Sequence, residues 1–246
     1  MSRNFDILRR EMPSAARVVE GEAGAQQAGA TRTPDPIAII DNEITRLVRQ
    51  VFFLRGDKGV RSSVTFCGVN TGDGCSWVCT RAAEALAELV PGRVCLVDAN
   101  LRSPSLHQHF HFDRSGGFAD AMKNGSPIET LARPTWSSHL WVITAGEAGC
   151  DPGGALNPAR ARTRISELRE GFDCLLFDAP PVSSYGDGAL LGQLTDGVVL
   201  VVGCHSTRRE TARAAKQSFE IAGVPILGTV LNKRTYPIPE ALYRRL

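Results

Sequence analysis

Short apolar runs alternate with amphipathic segments along most of the 246-residue chain, and this alternation constrains the fold more than any other feature. The apolar runs have four to six residues, the length of strands buried on both faces. Strands are predicted at 64–69, 94–97, 140–144, 174–177, 198–202 and 226–231, and helices at 76–89, 157–169, 187–194 and 207–222. Such alternation predicts an α/β fold, a mostly parallel sheet with helices on both faces.

Composition divides the chain into three parts and excludes some functions. Residues 1–35 are predicted to be a flexible N-terminal segment, 36–235 one globular domain and 236–246 a polar tail. The 28 basic and 26 acidic residues give a formal charge of +2, which argues against nucleic-acid binding as the main role. Seven scattered cysteines and no leader-like or membrane-spanning apolar run predict a reduced, cytoplasmic protein.

A glycine-rich loop joins the first predicted strand to the first long helix. The loop residues Gly72, Asp73, Gly74, Cys75 and Ser76 are predicted to bind phosphate, because glycines let backbone N–H groups converge at a helix N-terminus. The loop has the shape of a P-loop, but Cys75 stands where a lysine is expected. An ordinary glycine-rich turn is the alternative interpretation.

Two aspartates stand at the carboxyl ends of predicted strands. Asp98 and Asp178 each follow four apolar residues, and strand ends of this kind are where ligands bind in α/β sheets. Two carboxylates beside a phosphate loop can hold Mg²⁺ through water. The alternative is that both carboxylates only cap the ends of their strands.

Three motifs in this order resemble those of a known family. The loop at 72–76, the VDANLRSP segment at 97–104 and the FDAPP segment at 177–181 are similar to the phosphate loop, second acidic motif and Walker B motif of the bacterial tyrosine kinases. These proteins are deviant P-loop ATPases related to MinD and ParA, and they regulate capsule and exopolysaccharide synthesis. The resemblance covers about residues 34–235, and the start of the chain looks like that of soluble members whose membrane-spanning partner is a separate chain.

The resemblance implies ATP and Mg²⁺ as ligands and gives roles to individual residues. It implies Mg²⁺ binding by Ser76, Asp98 and Asp178, with Asp98 also activating the attacking hydroxyl near the γ-phosphate. It further implies that Arg102 lies near the phosphates and that Asn232 lies near the base.

The resemblance also implies partners. Glu43, Arg46 and Arg49 form an E-x-x-R-x-x-R pattern on a predicted helix, similar to the family's ring-forming interface motif. The implied partners are further copies of this chain in a ring and a membrane-embedded polysaccharide chain-length regulator. Docking on that regulator would hold the protein at the cytoplasmic side of the inner membrane. Ion pairing within the helix is the alternative interpretation of the three charges.

Departures from the family pattern weaken the expectation of kinase activity. Cys75 replaces the family's lysine, Trp77 replaces a small hydroxyl residue, and Asp73 adds a negative charge to the loop. Loss of such a cation is expected to cost on the order of 10³-fold in rate. The tail carries only Tyr236 and Tyr243 where relatives carry a tyrosine cluster of phosphorylation sites. Impaired or lost autokinase activity is therefore predicted.

Three further points stay open in the sequence. None of the four lysines lies in the loop. Arg61 and Arg102 are the basic residues nearest to the motifs, and they are the candidates to replace the missing lysine. The Cys75 thiol at a helix N-terminus suggests redox sensitivity, although an inert residue is favoured. A MinD/ParA-like positioning ATPase and a nucleotide-independent regulatory subunit are the alternative functions.

Overall fold

A computed structural model describes residues 36–54, 62–123, 127–147 and 156–234. Within these ranges the strands are β1 (Ser63–Gly68), β2 (Val94–Asp98), β3 (Arg133–Pro134), β4 (Leu140–Ile143), β5 (Cys174–Ala179), β6 (Val198–Gly203) and β7 (Ile226–Asn232). The helices are α1 (Pro36–Val48), α2 (Cys75–Leu89), α3 (Leu106–His109), α4 (Phe118–Lys123), α5 (Pro158–Gly171), α6 (Asp187–Leu194) and α7 (Arg209–Ile221). A π-helical turn follows α1 at Arg49–Phe53, and a 3₁₀ turn lies at Ile128–Leu131. The predicted N-terminal segment, the tail, Arg61, Tyr236 and Tyr243 lie outside the described residues.

The strands form one sheet in the order β3-β4-β2-β5-β1-β6-β7. All neighbouring pairs are parallel except β3 and β4, which are antiparallel. Every residue of β1, β2, β5 and β6 is buried, which is why these strands appear in the sequence as unbroken apolar runs. The predicted mostly parallel α/β fold is confirmed. The sequence did not predict β3, because its two residues carry no strand pattern.

Helices cover both faces of the sheet. On one face, Val78, Ala82 and Leu86 of α2 belong to a core cluster with Val64 and Phe66 of β1, and α1 packs on α2. The second cluster, on the other face, is formed by α5, α6 and α7 packing on the sheet. No helix among the described residues is long and apolar enough to cross a membrane.

The parallel strands bring the predicted site residues to one edge of the sheet. Asp98 and Asp178 are register partners at the carboxyl ends of the neighbouring strands β2 and β5. The glycine-rich loop follows the carboxyl end of β1. Strand β1 pairs with β5 on the side of β5 opposite to β2. Asn232 ends β7 at the same edge, so the fold gathers the motifs that the sequence identified.

Candidate functional site: the phosphate loop and its two aspartates

The glycine-rich loop ends at an open helix N-terminus. Gly74 precedes α2 in a left-handed conformation (φ 85°), and no side chain caps the helix. The first N–H groups of α2 have no intrahelical acceptors, so they are free to bind an anion. A Cβ atom at Gly74 would lie 2.4 Å from Nδ2 of Asn232, so the loop requires glycine here.

The Asp73 side chain stabilises the loop through hydrogen bonds, a role that the sequence did not predict. It is buried, and its carboxylate accepts hydrogen bonds from the backbone N–H of Asn70 at 2.8 Å and from the Thr207 hydroxyl at 3.0 Å. The Asp73 N–H also donates to the Asn70 carbonyl at 3.2 Å. These bonds tie the loop to the segment after β6 and turn the carboxylate toward that segment.

Asp178 is a fully buried carboxylate that lacks hydrogen bonds. Among the described residues, neither of its oxygens has a partner of ordinary hydrogen-bond geometry. Burial raises the pKa of Asp178, while the nearby side chains of Ser76 and Cys75 lower it. A buried carboxylate beside a serine hydroxyl presents the oxygen ligands that Mg²⁺ prefers. The residues present therefore fit a magnesium ion.

Asp98 is also fully buried, but its carboxylate is hydrogen-bonded. Its oxygens accept from the backbone N–H groups of Asn100 at 3.3 Å and of Ser105 and Leu106 at 3.1 Å. Burial, followed by the charge of Asp178, raises the pKa of Asp98, and the three backbone bonds lower it. Asp98 thus anchors the segment leading into α3, which is compatible with the capping alternative. Its magnesium and catalytic roles stay predictions.

Cys75 begins α2 and is half-buried. Burial raises the pKa of its thiol well above the ordinary value, and the charge of Asp178 raises it further. The raised pKa keeps the thiol neutral, which favours the interpretation as an inert residue. Trp77, two positions on, is 44% exposed and therefore does not fill the loop.

Arg102 is held by the segment after β5. Its Nε donates to Asp187 at 3.3 Å, and its guanidinium lies 4.0 Å from the centre of the Tyr185 ring. These two contacts engage the Arg102 side chain. Its predicted position near the phosphates stays a prediction. Asp187 and Tyr185 are neighbours of the site that the sequence did not single out.

The end of β7 lies on the loop. The Asn232 amide donates from Nδ2 to the Asp73 carbonyl at 2.9 Å, and the Lys233 ammonium donates to the Gly72 carbonyl at 2.7 Å. Asn232 thus contacts the loop, and its predicted position near a base stays a prediction. Lys233 was missed, and its only sequence signal is that it directly follows Asn232.

The predicted interface residues share one exposed surface. Glu43 and Arg46 on α1 and Arg49 in the π-helical turn are exposed, while Ile44 and Leu47 between them are buried. Within the part of the chain that the structure describes, no ion pair joins Glu43 to either arginine. The alternative of pairing within the helix is therefore not observed.

Comparison with curated proteins places this site in a family. The chain is 30% identical over 204 residues to the tyrosine-protein kinase ptk of Acinetobacter johnsonii, which covers 82% of this chain and 27% of that kinase. It is 27% identical over 194 residues to the tyrosine-protein kinase YwqD of Bacillus subtilis, covering 78% of this chain and 81% of that kinase. The chain is a relative of the bacterial tyrosine-protein kinases. It spans about a quarter of the Acinetobacter kinase, and no protein-family model matches it.

Solved structures show the same fold. The chimerical protein CapA2B2 has a TM-score of 0.74 at 22% identity, covering 82% of this chain and 87% of that one. The septum site-determining protein MinD of Pyrococcus horikoshii, complexed with Mg-ADP, has a TM-score of 0.61 at 19% identity, covering 74% and 76% of the two chains. At these identities the likeness establishes the fold, a MinD-like P-loop architecture.

Proposed function

We propose that this relative of the bacterial tyrosine kinases acts in exopolysaccharide or capsule biosynthesis as an ATP- and Mg²⁺-binding protein with impaired autokinase activity. The backbone of Gly72–Ser76 would hold the nucleotide phosphates. Ser76, Asp98 and Asp178 would hold Mg²⁺, the two carboxylates through water. The ion would supply positive charge that offsets the charge of the phosphates.

The observation that carries nucleotide and Mg²⁺ binding is the buried, unpaired carboxylate of Asp178. A buried charge without hydrogen bonds destabilises a protein unless a counter-charge occupies the site. Asp178 lies near Ser76 at the head of α2, where the uncapped helix terminus favours an anion. Cation and anion sites are therefore adjacent, as Mg·nucleotide requires.

Impaired catalysis follows from Cys75. Phosphoryl transfer depends on positive charge at the transferring phosphate, and the P-loop lysine normally supplies it. The Cys75 thiol carries no positive charge, and its raised pKa keeps it neutral.

The partner proposal rests on the exposed α1 surface. Glu43, Arg46 and Arg49 point to solvent without partners among the described residues, so they are available to a neighbouring subunit. We infer a ring of copies of this chain, docked on a membrane-embedded polysaccharide chain-length regulator at the cytoplasmic face of the inner membrane.

Calorimetry of ATP with Mg²⁺ tests the nucleotide proposal, with wild type and the Cys75→Lys variant compared. We expect weak binding by wild type and tighter binding by the variant, by about tenfold or more, because a charge-assisted phosphate contact is restored. Cys95→Ser, a substitution at a buried thiol on β2, controls for loss of a cysteine. Tight ATP binding together with tyrosine phosphorylation by wild type would contradict impaired catalysis.

Affinity purification tests the cellular role against the positioning-ATPase alternative. We expect wild type to retain a membrane chain-length protein, and Arg46→Glu to reduce the oligomer measured by light scattering. Co-purification with DNA or a cell-division protein in place of the chain-length protein would favour the MinD/ParA-like function.

A further inference from the structure

A lysine at the end of β7 reaches the phosphate loop. Lys233 follows β7 directly and lies 161 positions from Gly72 in sequence, yet its Nζ donates to the Gly72 carbonyl at 2.7 Å. Its Cε would lie 3.5 Å from a Cβ atom built on Gly74. The Lys233 side chain therefore lies against the loop, close to Gly72 and Gly74.

The backbone at Lys233 is in a conformation that suits this contact. Its φ of 57° lies in the left-handed region, which side chains other than glycine, asparagine and aspartate rarely adopt. The preceding residue is fixed at both ends, because Cys204 N–H donates to the Asn232 carbonyl at 2.7 Å and the Asn232 amide donates to Asp73. The end of β7 thus turns the lysine back onto the loop.

We propose that Lys233 supplies to the nucleotide phosphates the positive charge that Cys75 does not provide. The proposal rests on the nucleotide binding argued above and names the residue that makes it feasible. Lysine binds phosphate as a point charge. The ammonium group can therefore come from a different part of the chain than the start of α2, where the P-loop motif normally has its lysine.

The hydrogen-bond inventory of Lys233 leaves donors for a phosphate. An ammonium group has three N–H donors, and the Gly72 carbonyl accepts one of them. Lys233 is exposed, and no carboxylate of the described residues pairs with it. Its charge is therefore not neutralised by a neighbour and is open to an anion in the loop.

Arg102, the described arginine that the sequence suggested for the site, is engaged elsewhere. Arg102 pairs with Asp187 and stacks on Tyr185. Lys216 on α7 pairs with Glu220 one turn along the same helix. The loop edge also carries the carboxylates of Asp73, Asp98 and Asp178, so a polyphosphate needs a cation here in addition to Mg²⁺.

The test compares nucleotide affinity in the full chain across variants of Lys233. Calorimetric titrations with ATP·Mg, ADP·Mg and adenosine are made on wild type, Lys233→Gln and the control Lys216→Gln. We expect Lys233→Gln to weaken ATP and ADP binding about tenfold or more and to leave adenosine unchanged, since a charged phosphate contact is lost. Lys233→Arg keeps the charge and should retain most of the affinity. Lys216→Gln should match wild type.

A second background makes the test specific to the missing lysine. In Cys75→Lys, where the loop regains its own cation, Lys233→Gln should weaken ATP binding less than it does in wild type. The Lys233→Asn variant tolerates the left-handed backbone and separates loss of charge from misfolding of the turn. It should lose nucleotide affinity as Lys233→Gln does, with unchanged thermal stability.

Three results would overturn the proposal alone: wild-type affinity in Lys233→Gln, an equal loss for adenosine, or the same loss in both backgrounds. An equal loss for adenosine would show that the lysine contacts the base or ribose. No binding of ATP·Mg by wild type at millimolar concentration would overturn both this proposal and nucleotide binding. Failure of the chain-length partner to co-purify would overturn only the cellular role.

Discussion

The buried aspartate pair predicts an unusual pH dependence of stability. Burial raises the pKa values of both Asp98 and Asp178 in the folded state, and the charge of Asp178 raises that of Asp98 further. A carboxyl whose pKa is raised by folding binds more protons in the native state than in the unfolded state at pH values between the two pKa values. The free energy of unfolding therefore falls as pH rises from about 4 through the raised values, the reverse of the usual behaviour of paired carboxylates.

Substitution of Asp178 by Asn tests this reasoning. The variant removes one titrating carboxyl and also the charge that raises the pKa of Asp98. One pKa unit corresponds to about 1.4 kcal/mol, so we expect the variant to gain about 1.5–3 kcal/mol relative to wild type between about pH 5 and about pH 8. The buried amide without partners lowers stability by about 1–3 kcal/mol at every pH, so the change with pH is the quantity to compare.

The assay is urea unfolding without Mg²⁺ at several pH values, with Glu88→Gln as the control. Glu88 is an exposed carboxylate on α2, and its profile should run parallel to that of wild type. Addition of Mg²⁺ with ADP should stabilise wild type more at pH 8 than at pH 5, because the ion binds the ionised carboxylates. Parallel wild-type and Asp178→Asn profiles, within about 0.5 kcal/mol, would refute an electrostatic origin for the raised pKa values.

Two further predictions concern the loop. Asp73→Asn should lower the free energy of unfolding by about 1.5–3 kcal/mol, because the buried carboxylate accepts charge-assisted bonds from Asn70 and Thr207. Urea unfolding measures this change. A loss no larger than that of Glu88→Gln would contradict the stabilising role of Asp73. The raised pKa of Cys75 predicts slower alkylation than at the half-buried Cys204, which mass spectrometry of partly labelled protein resolves. Faster labelling of Cys75 would revive the redox hypothesis.

The sequence predicted what depends on local pattern and parallel topology. The fully buried strands appear as apolar runs, and parallel strands align their carboxyl ends, so the proximity of the loop, Asp98 and Asp178 followed from order alone. Helix α3 was missed, since Leu106–His109 is short and its segment is anchored by Asp98 from eight positions away. Contacts of this kind depend on side-chain direction, which periodicity does not encode.

The contacts of the loop itself were beyond sequence reasoning for the same reason. Thr207 on Asp73 and Lys233 on Gly72 join residues more than a hundred positions apart. Lys233 lies outside the loop motif, so the motif alone does not indicate it. The P-loop motif describes one segment of the chain. The positive charge around a phosphate depends on every residue that lies near it in the folded protein, including one at the end of a neighbouring strand.

The unfavourable local features of this protein gather at one edge of the sheet. Asp178 is buried without hydrogen bonds, Lys233 adopts a left-handed backbone, and Gly74 leaves α2 uncapped. Each costs stability in the free protein, and together they present a cation site, an anion site and a positive charge. A nucleotide-independent regulatory subunit would gain nothing from them. That alternative therefore predicts that Asp178→Asn and Lys233→Asn leave every ligand-dependent change in stability untouched, whereas the nucleotide proposal predicts that each variant reduces the stabilisation by Mg·ADP.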